Sequence, residues 1–102
     1  PAQLRKLKMG GILGVGQGSR HEPCLVCLES RDAPAGAPTV ALVGKGITFD
    51  TGGISLKPGA KMDIMKCDMA GAAAVLGAVL IARRLEIPAR LLAVLPIAEN
   101  MP

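Results

Sequence analysis

Aromatic side chains are almost missing from this chain: it has one Phe and no Trp or Tyr among 102 residues. Without aromatics there is no platform on which bases could stack. Basic residues gather only at Arg5, Lys6, Lys8 and at Arg83-Arg84, with no sustained basic stripe. The formal net charge of +4 therefore does not point to nucleic acid as a partner. Three cysteines, with no secretory leader in view, favour a reducing compartment. No apolar run reaches the ~18–20 residues needed to cross a bilayer. The longest, Met69 to Ala82, is interrupted by Gly71 and Gly77 and reads as a core helix. The expectation is a soluble, cytoplasmic protein with no membrane partner.

What the chain does hold is aliphatic. Half its residues are hydrophobic, so any core is built from Leu, Val, Ile and Ala. The length allows one small domain. The chain opens on Pro1 and stops at Asn100-Met101-Pro102, directly after an apolar run, so it reads as an internal segment of something longer.

Residues 2–8 read as the last turns of a helix, with basic residues at the negative end of its dipole and Gly10-Gly11 as its break. The glycines at 14, 16 and 18 suggest a dinucleotide loop. That motif needs a strand before and a helix after, and Pro23 leaves no space for the helix. A close-packed glycine loop is the reading that stands. Cys24 to Glu29 has strand composition. Residues three apart on a strand point to opposite faces, so Cys24 and Cys27 read as two ordinary buried cysteines rather than as a redox or zinc pair. His21, the only histidine, is expected to face solvent. A Pro- and Gly-rich turn, Arg31 to Pro38, would join Leu25–Ser30 to Thr39–Val43 as adjacent antiparallel strands. Thr39–Val43 is nearly all apolar, as in a strand covered on both faces.

After that strand comes GKGITFDTGGISLKPGAKMDIMKCD, Gly44 to Asp68, and then an Ala-rich helix expected over Met69 to Leu85 and buried on most sides. Turn signals at Gly52-Gly53 and Pro58-Gly59 suggest that Gly46 to Lys61 wraps irregularly. Gly44-Lys45-Gly46 lacks the glycine spacing and the following Ser or Thr of a phosphate-binding loop. Ala89 to Leu95 reads as a core strand parallel to Thr39–Val43 through a right-handed crossover. The fold class is thus α/β, part of a mixed, largely parallel sheet flanked by helices. Loops at the carboxyl ends of such strands usually carry the ligand site. Here Lys45, Asp50, Lys57, Asp63, Lys66 and Asp68 fall in that loop, a set of oxygen and amine donors suited to a cation. The alternatives are a solvated, salt-bridged loop and, for Asp68, a carboxylate that satisfies free amides at a helix N-terminus.

The blocks Gly44 to Gly53, Ser55 to Pro58 and Met62 to Met69 resemble the leucine aminopeptidase (cytosol aminopeptidase, M17) family, and the similarity extends to Met9–Ser19 and Ala98–Pro102. It covers nearly the whole chain. The resemblance implies that residues 1–102 are the N-terminal part of a metallo-aminopeptidase catalytic domain. It implies two divalent metals, Zn2+ and/or Mn2+, with Lys45 and Asp68 on one and Asp50 bridging both. Lys57 would be the catalytic lysine that polarises the scissile carbonyl, and Met65 would help line the pocket for the N-terminal side chain. Substrates would be peptides with a free N-terminus, and the parent protein a homo-hexamer. The family's second signature, Asn-Thr-Asp-Ala-Glu-Gly-Arg, supplies the remaining ligands and does not occur here. The isolated chain is therefore expected to be inactive. A non-catalytic metal-binding or assembly role is the alternative.

Overall fold

The computed structural model describes residues 1–30 and 33–102. Arg31 and Asp32, in the turn expected between the first two strands, lie outside the described residues. In chain order the elements are α1 (Ala2–Lys6), α2 (Gly10–Val15), β1 (Cys24–Glu29), β2 (Thr39–Val43), β3 (Gly46–Asp50), a 3-10 helix (Met62–Cys67), α3 (Ala70–Arg84) and β4 (Arg90–Asn100).

One strand organises the sheet. β4 pairs antiparallel with β1, Cys24 facing Ile97, and parallel with β2 and β3. Ile97 is matched by both Cys24 and Gly46, so β1 lies on one edge of β4 while β2 and β3 follow one another along the other. The expected parallel pairing of Thr39–Val43 with the last strand is found. The expected adjacency of β1 and β2 is not, because β4 stands between them. β2 is accordingly an edge strand with Val40 and Val43 exposed, not one covered on both faces.

β2 and β3 are two parts of one line. The pairing offset is the same at Thr39–Arg90 and Ile47–Ala98, and it becomes one residue smaller at Asp50–Asn100. The region expected to wrap irregularly from Gly46 thus begins as strand. Ile47, Thr48 and Phe49 suit a pleated surface, and pairing with an extended β4 satisfies their backbone. β4 runs past Leu95, where the sequence suggested an end, through Pro96 to Asn100.

At the junction of β2 and β3 the sheet meets α3. The Ala72 amide donates to the Lys45 carbonyl at 2.8 Å. A Cβ on Gly44 would stand 2.7 Å from both the Ala72 Cα and the Gly71 carbonyl oxygen, so strand and helix backbones meet where only glycine fits. Among the described residues the buried apolar set is Leu4, Ala72, Leu91, Ala93, Leu95 and Ala98, most of it on β4.

Four further expectations are corrected. Gly10 and Gly11 start α2 instead of ending a helix, and Gly14 is helical too. The helical penalty of glycine, about 1 kcal/mol each, is outweighed as α2 packs on β4. Cys24 and Cys27 are exposed, not buried: β1 is an edge strand paired only with β4 among the described residues. α3 buries only Ala72, leaving Leu76, Leu80 and Ile81 exposed. Gly71 and Gly77 also do not interrupt the helical run: Met62–Arg84 is long and apolar enough to cross a bilayer by length and composition, with mean hydropathy 1.8. Its first turns nevertheless carry Asp63 and Lys66, and its α3 part packs on β2, β3 and β4.

Candidate metal centre

Four loop residues come from four local structures. Lys45 sits at the β2–β3 junction, Asp50 ends β3, Lys57 follows the Gly52-Gly53 turn, and Asp68 closes the 3-10 helix just before α3. Gly52 and Gly53 both have positive φ, 93° and 71°, which lets the chain fold back so that the Lys57 amide reaches the Thr51 carbonyl at 2.8 Å.

Two carboxylate–ammonium pairs result. Lys45 Nζ lies 2.8 Å from Asp68 Oδ1, and Lys57 Nζ lies 2.6 Å from Asp50 Oδ2. Lys57 Nζ also contacts Met65 Sδ at 3.0 Å. A cavity of about 340 Å³ is lined by Lys45, Asp50, Asp68 and Asn100 together with the apolar Ile12, Val15, Ile47 and Pro96. The five residues that the family resemblance names are therefore brought together, whereas Asp63 and Lys66 lie on the 3-10 helix and do not line this cavity. Lys45, Asp50 and Asp68 share the cavity, and Lys57 and Met65 join through Asp50.

The electrostatics favour an anionic Asp50. The Asp50 carboxyl is lowered from its ordinary 3.8 to about 2. The hydrogen bond from Lys57 is the largest cause, followed by the Gly52 amide; Asn100 adds to them, and partial burial opposes. Asp68 is unlike Asp50. Its Oδ1 is paired, but its Oδ2 is buried and has no partner among the described residues. A polar oxygen shut away from water without a donor is costly, and a cation would remove that cost. Asp68 does not act as the helix-capping carboxylate considered above, because the N-cap of α3 is Met69 with no side-chain cap bond.

Two carboxylates and one amine facing a cavity match the donors of a hard divalent cation completed by further oxygen ligands. Among the described residues no three His, Cys, Asp or Glu gather into a metal-binding group, so they do not form a complete carboxylate cage. Ser19 Oγ donates to Glu99 Oε2 at 2.5 Å and accepts from the His21 amide at 3.0 Å. His21 is exposed, as expected.

Three contacts were not singled out in the sequence. The Gly52 amide donates to Asp50 Oδ1 at 3.0 Å, the Thr51 hydroxyl to the Asn100 carbonyl at 2.9 Å, and Asn100 Nδ2 to Asp50 Oδ1 at 2.7 Å. The first was available as a signal, since an Asp two residues before a Gly readily accepts from that amide. The others depend on the register of β4 against β3.

The chain is thus an α/β segment whose mixed sheet gathers two carboxylate–ammonium pairs at one end. The family model for the cytosol aminopeptidase family, catalytic domain, matches residues 1–102, and the chain belongs to this family. It is 57% identical over 99 residues to a probable cytosol aminopeptidase of Rhodococcus erythropolis, covering 97% of this chain and 20% of that protein. A bottromycin maturation enzyme solved in complex with Mn superposes with a TM-score of 0.90 at 49% identity, covering 100% of this chain and 22% of the other. For a leucyl aminopeptidase from Trypanosoma cruzi the TM-score is 0.89 at 45% identity, covering 99% of this chain and 20% of the other. The chain spans about one fifth of the length of these relatives.

Proposed function

We propose that residues 1–102 are the N-terminal part of the catalytic domain of a two-metal, leucyl-type aminopeptidase that releases N-terminal amino acids from peptides. The observation that carries this reading is the Lys45–Asp68 pair beside the unpartnered, buried Asp68 Oδ2, in a cavity that Asp50 also lines.

Lys45 and Asp68 are assigned to one divalent ion, and Asp50 to a place between it and a second. Carboxylates suit Mn2+ and Zn2+, and the Mn-containing relative supports the former. When bound, such ions supply Lewis acidity and an activated water. The rest is the work of the chain. Lys45 would hold an ion only through an unprotonated Nζ, so it would have to release its proton and give up the ion pair with Asp68. Lys57 keeps its charge and turns from Asp50 toward the carbonyl oxygen of the scissile bond, where negative charge develops during attack. Met65, against Lys57 Nζ at 3.0 Å, lines the pocket for the substrate's N-terminal side chain. With ions bound, the cation side would take the substrate's free amino group, which would account for action at N-termini.

The remaining carboxylate ligands belong to the longer protein, so residues 1–102 alone have no hydrolytic activity. The parent protein is cytoplasmic and assembles as a homo-hexamer. The test is Lys57→Ala in the longer protein, scored by leucyl-peptide hydrolysis and by Mn2+ binding. A loss of about 10²-fold or more in kcat with Mn2+ retained is expected. Unchanged hydrolysis overturns the role of Lys57. A wild type that binds Mn2+ but cleaves no peptide favours a non-catalytic metal-binding role.

A further inference from the structure

The register change between Ile47 and Asp50 brings one side chain to the centre. Without the shift Asp50 would face Met101; with it, Asp50 faces Asn100 across the parallel β3–β4 pair. Paired residues on neighbouring strands project to the same face. The Asn100 amide meets the Asp50 carboxylate there, Nδ2 to Oδ1 at 2.7 Å. A bulge that re-aims a side chain in this way is a device found next to active sites.

Asn100 is itself held on several sides. Its carbonyl accepts from the Thr51 amide at 3.0 Å and from the Thr51 hydroxyl at 2.9 Å, and Thr51 is buried. Its Oδ1 lies 3.1 Å from where a Cβ on Gly53 would stand, so the Asp50–Gly53 turn closes directly over the amide. The next residue back, Glu99, projects to the opposite face and accepts from Ser19. Adjacent residues of one strand end thus hold the loop after α2 and the carboxylate of Asp50.

We propose that Asn100 is a positioning residue for the metal centre. With the Gly52 amide it fixes Asp50 Oδ1, sets the plane of the carboxylate and leaves Oδ2 to face the cation. In this structure Oδ2 is the oxygen paired with the ammonium of Lys57. Outer partners of a ligating carboxylate change metal affinity by about 10–100-fold when removed. The proposal rests on Asp50 being a metal ligand, as assigned above.

The experiment measures Mn2+ affinity by calorimetry on the longer protein that carries this segment, for wild type, Asn100→Ala, Asn100→Ser and Asp50→Asn. Circular dichroism of the metal-free proteins is recorded in parallel. Asn100→Ala and Asn100→Ser are expected to bind Mn2+ about 10–100-fold more weakly while the metal-free spectra match wild type. A merely structural Asn100 would lower the melting temperature and leave the affinity of the folded protein unchanged, and that result overturns the proposal. If Asp50→Asn binds Mn2+ like wild type, the metal assignment itself fails, which is a separate outcome from a silent Asn100. A crystal structure of the Mn2+-bound wild type decides the matter should neither Asn100 variant fold. Asn100 Nδ2 within hydrogen-bonding distance of Asp50 supports the proposal, and an amide turned away from it overturns it.

Discussion

Replacing Lys57 by Gln removes the largest cause of the low Asp50 pKa while keeping most of the side chain's bulk. The Asp50 carboxyl stands at about 2 against an ordinary 3.8. A folded-state pKa below the unfolded value means that the unfolded chain binds more protons between those two limits, so stability rises with pH across that window. The contribution is complete above pH 3.8 and is lost as the pH falls through about 2. At 1.36 kcal/mol per pKa unit the shift corresponds to roughly 2 kcal/mol. The Lys57 side chain is 36% exposed, and solvent screening reduces its share to roughly 1–2 kcal/mol. The assay is urea unfolding of metal-free wild type and Lys57→Gln at several pH values between 2 and 6, with the Asp50 carboxyl carbon followed by NMR in both. The stability difference between the proteins is expected to be full at pH 5 and to close near pH 2, and the Asp50 midpoint in the variant to move back toward 3.8. A difference constant over the whole range would refute the coupling.

Gly44→Ala places a Cβ 2.7 Å from the Ala72 Cα, a contact with backbone that cannot yield. It should cost about 1–3 kcal/mol, read as a lower melting temperature, and should weaken Mn2+ binding because Lys45 and Asp68 flank the contact. Thr51→Val removes the hydroxyl that donates to the Asn100 carbonyl and accepts from the Gly53 amide. The buried amide then loses its partner, at a cost of about 1–3 kcal/mol in chemical denaturation. Arg90→Ala breaks an ion pair with Glu29 in which both side chains are about half exposed, and unfolding should shift by less than about 1 kcal/mol.

The strands and the long helix were legible because local composition and tertiary role agree in them. Thr39–Val43 is a strand on both readings, and the Ala-rich helix differs by a residue at each end. The order of the strands was not legible. A Pro- and Gly-rich turn between two strands suggests a hairpin, whereas β1 prefers the far edge of β4, more than sixty residues away in sequence. α2 was missed because three glycines argue locally against a helix, and packing on β4 decides otherwise. The exposure of α3 and of the cysteines could not be read from apolar composition, which predicts burial without saying what does the covering. In the site, Lys45, Asp50, Lys57, Asp63, Lys66 and Asp68 stood out as a cluster of charges in a glycine-rich loop, and the structure pairs four of them, Lys45 with Asp68 and Lys57 with Asp50. Asn100 did not stand out, since its contact with Asp50 depends on a one-residue register change that no spacing announces.

The most direct test of the central claim is an anomalous-scattering map of the longer protein crystallised with Mn2+. The account predicts one peak bonded to Lys45 Nζ and to the Asp68 carboxylate, and a second sharing Asp50 with it, with the Lys45–Asp68 ion pair opened. Peaks elsewhere, with Lys45 still 2.8 Å from Asp68 as it is here, would contradict it.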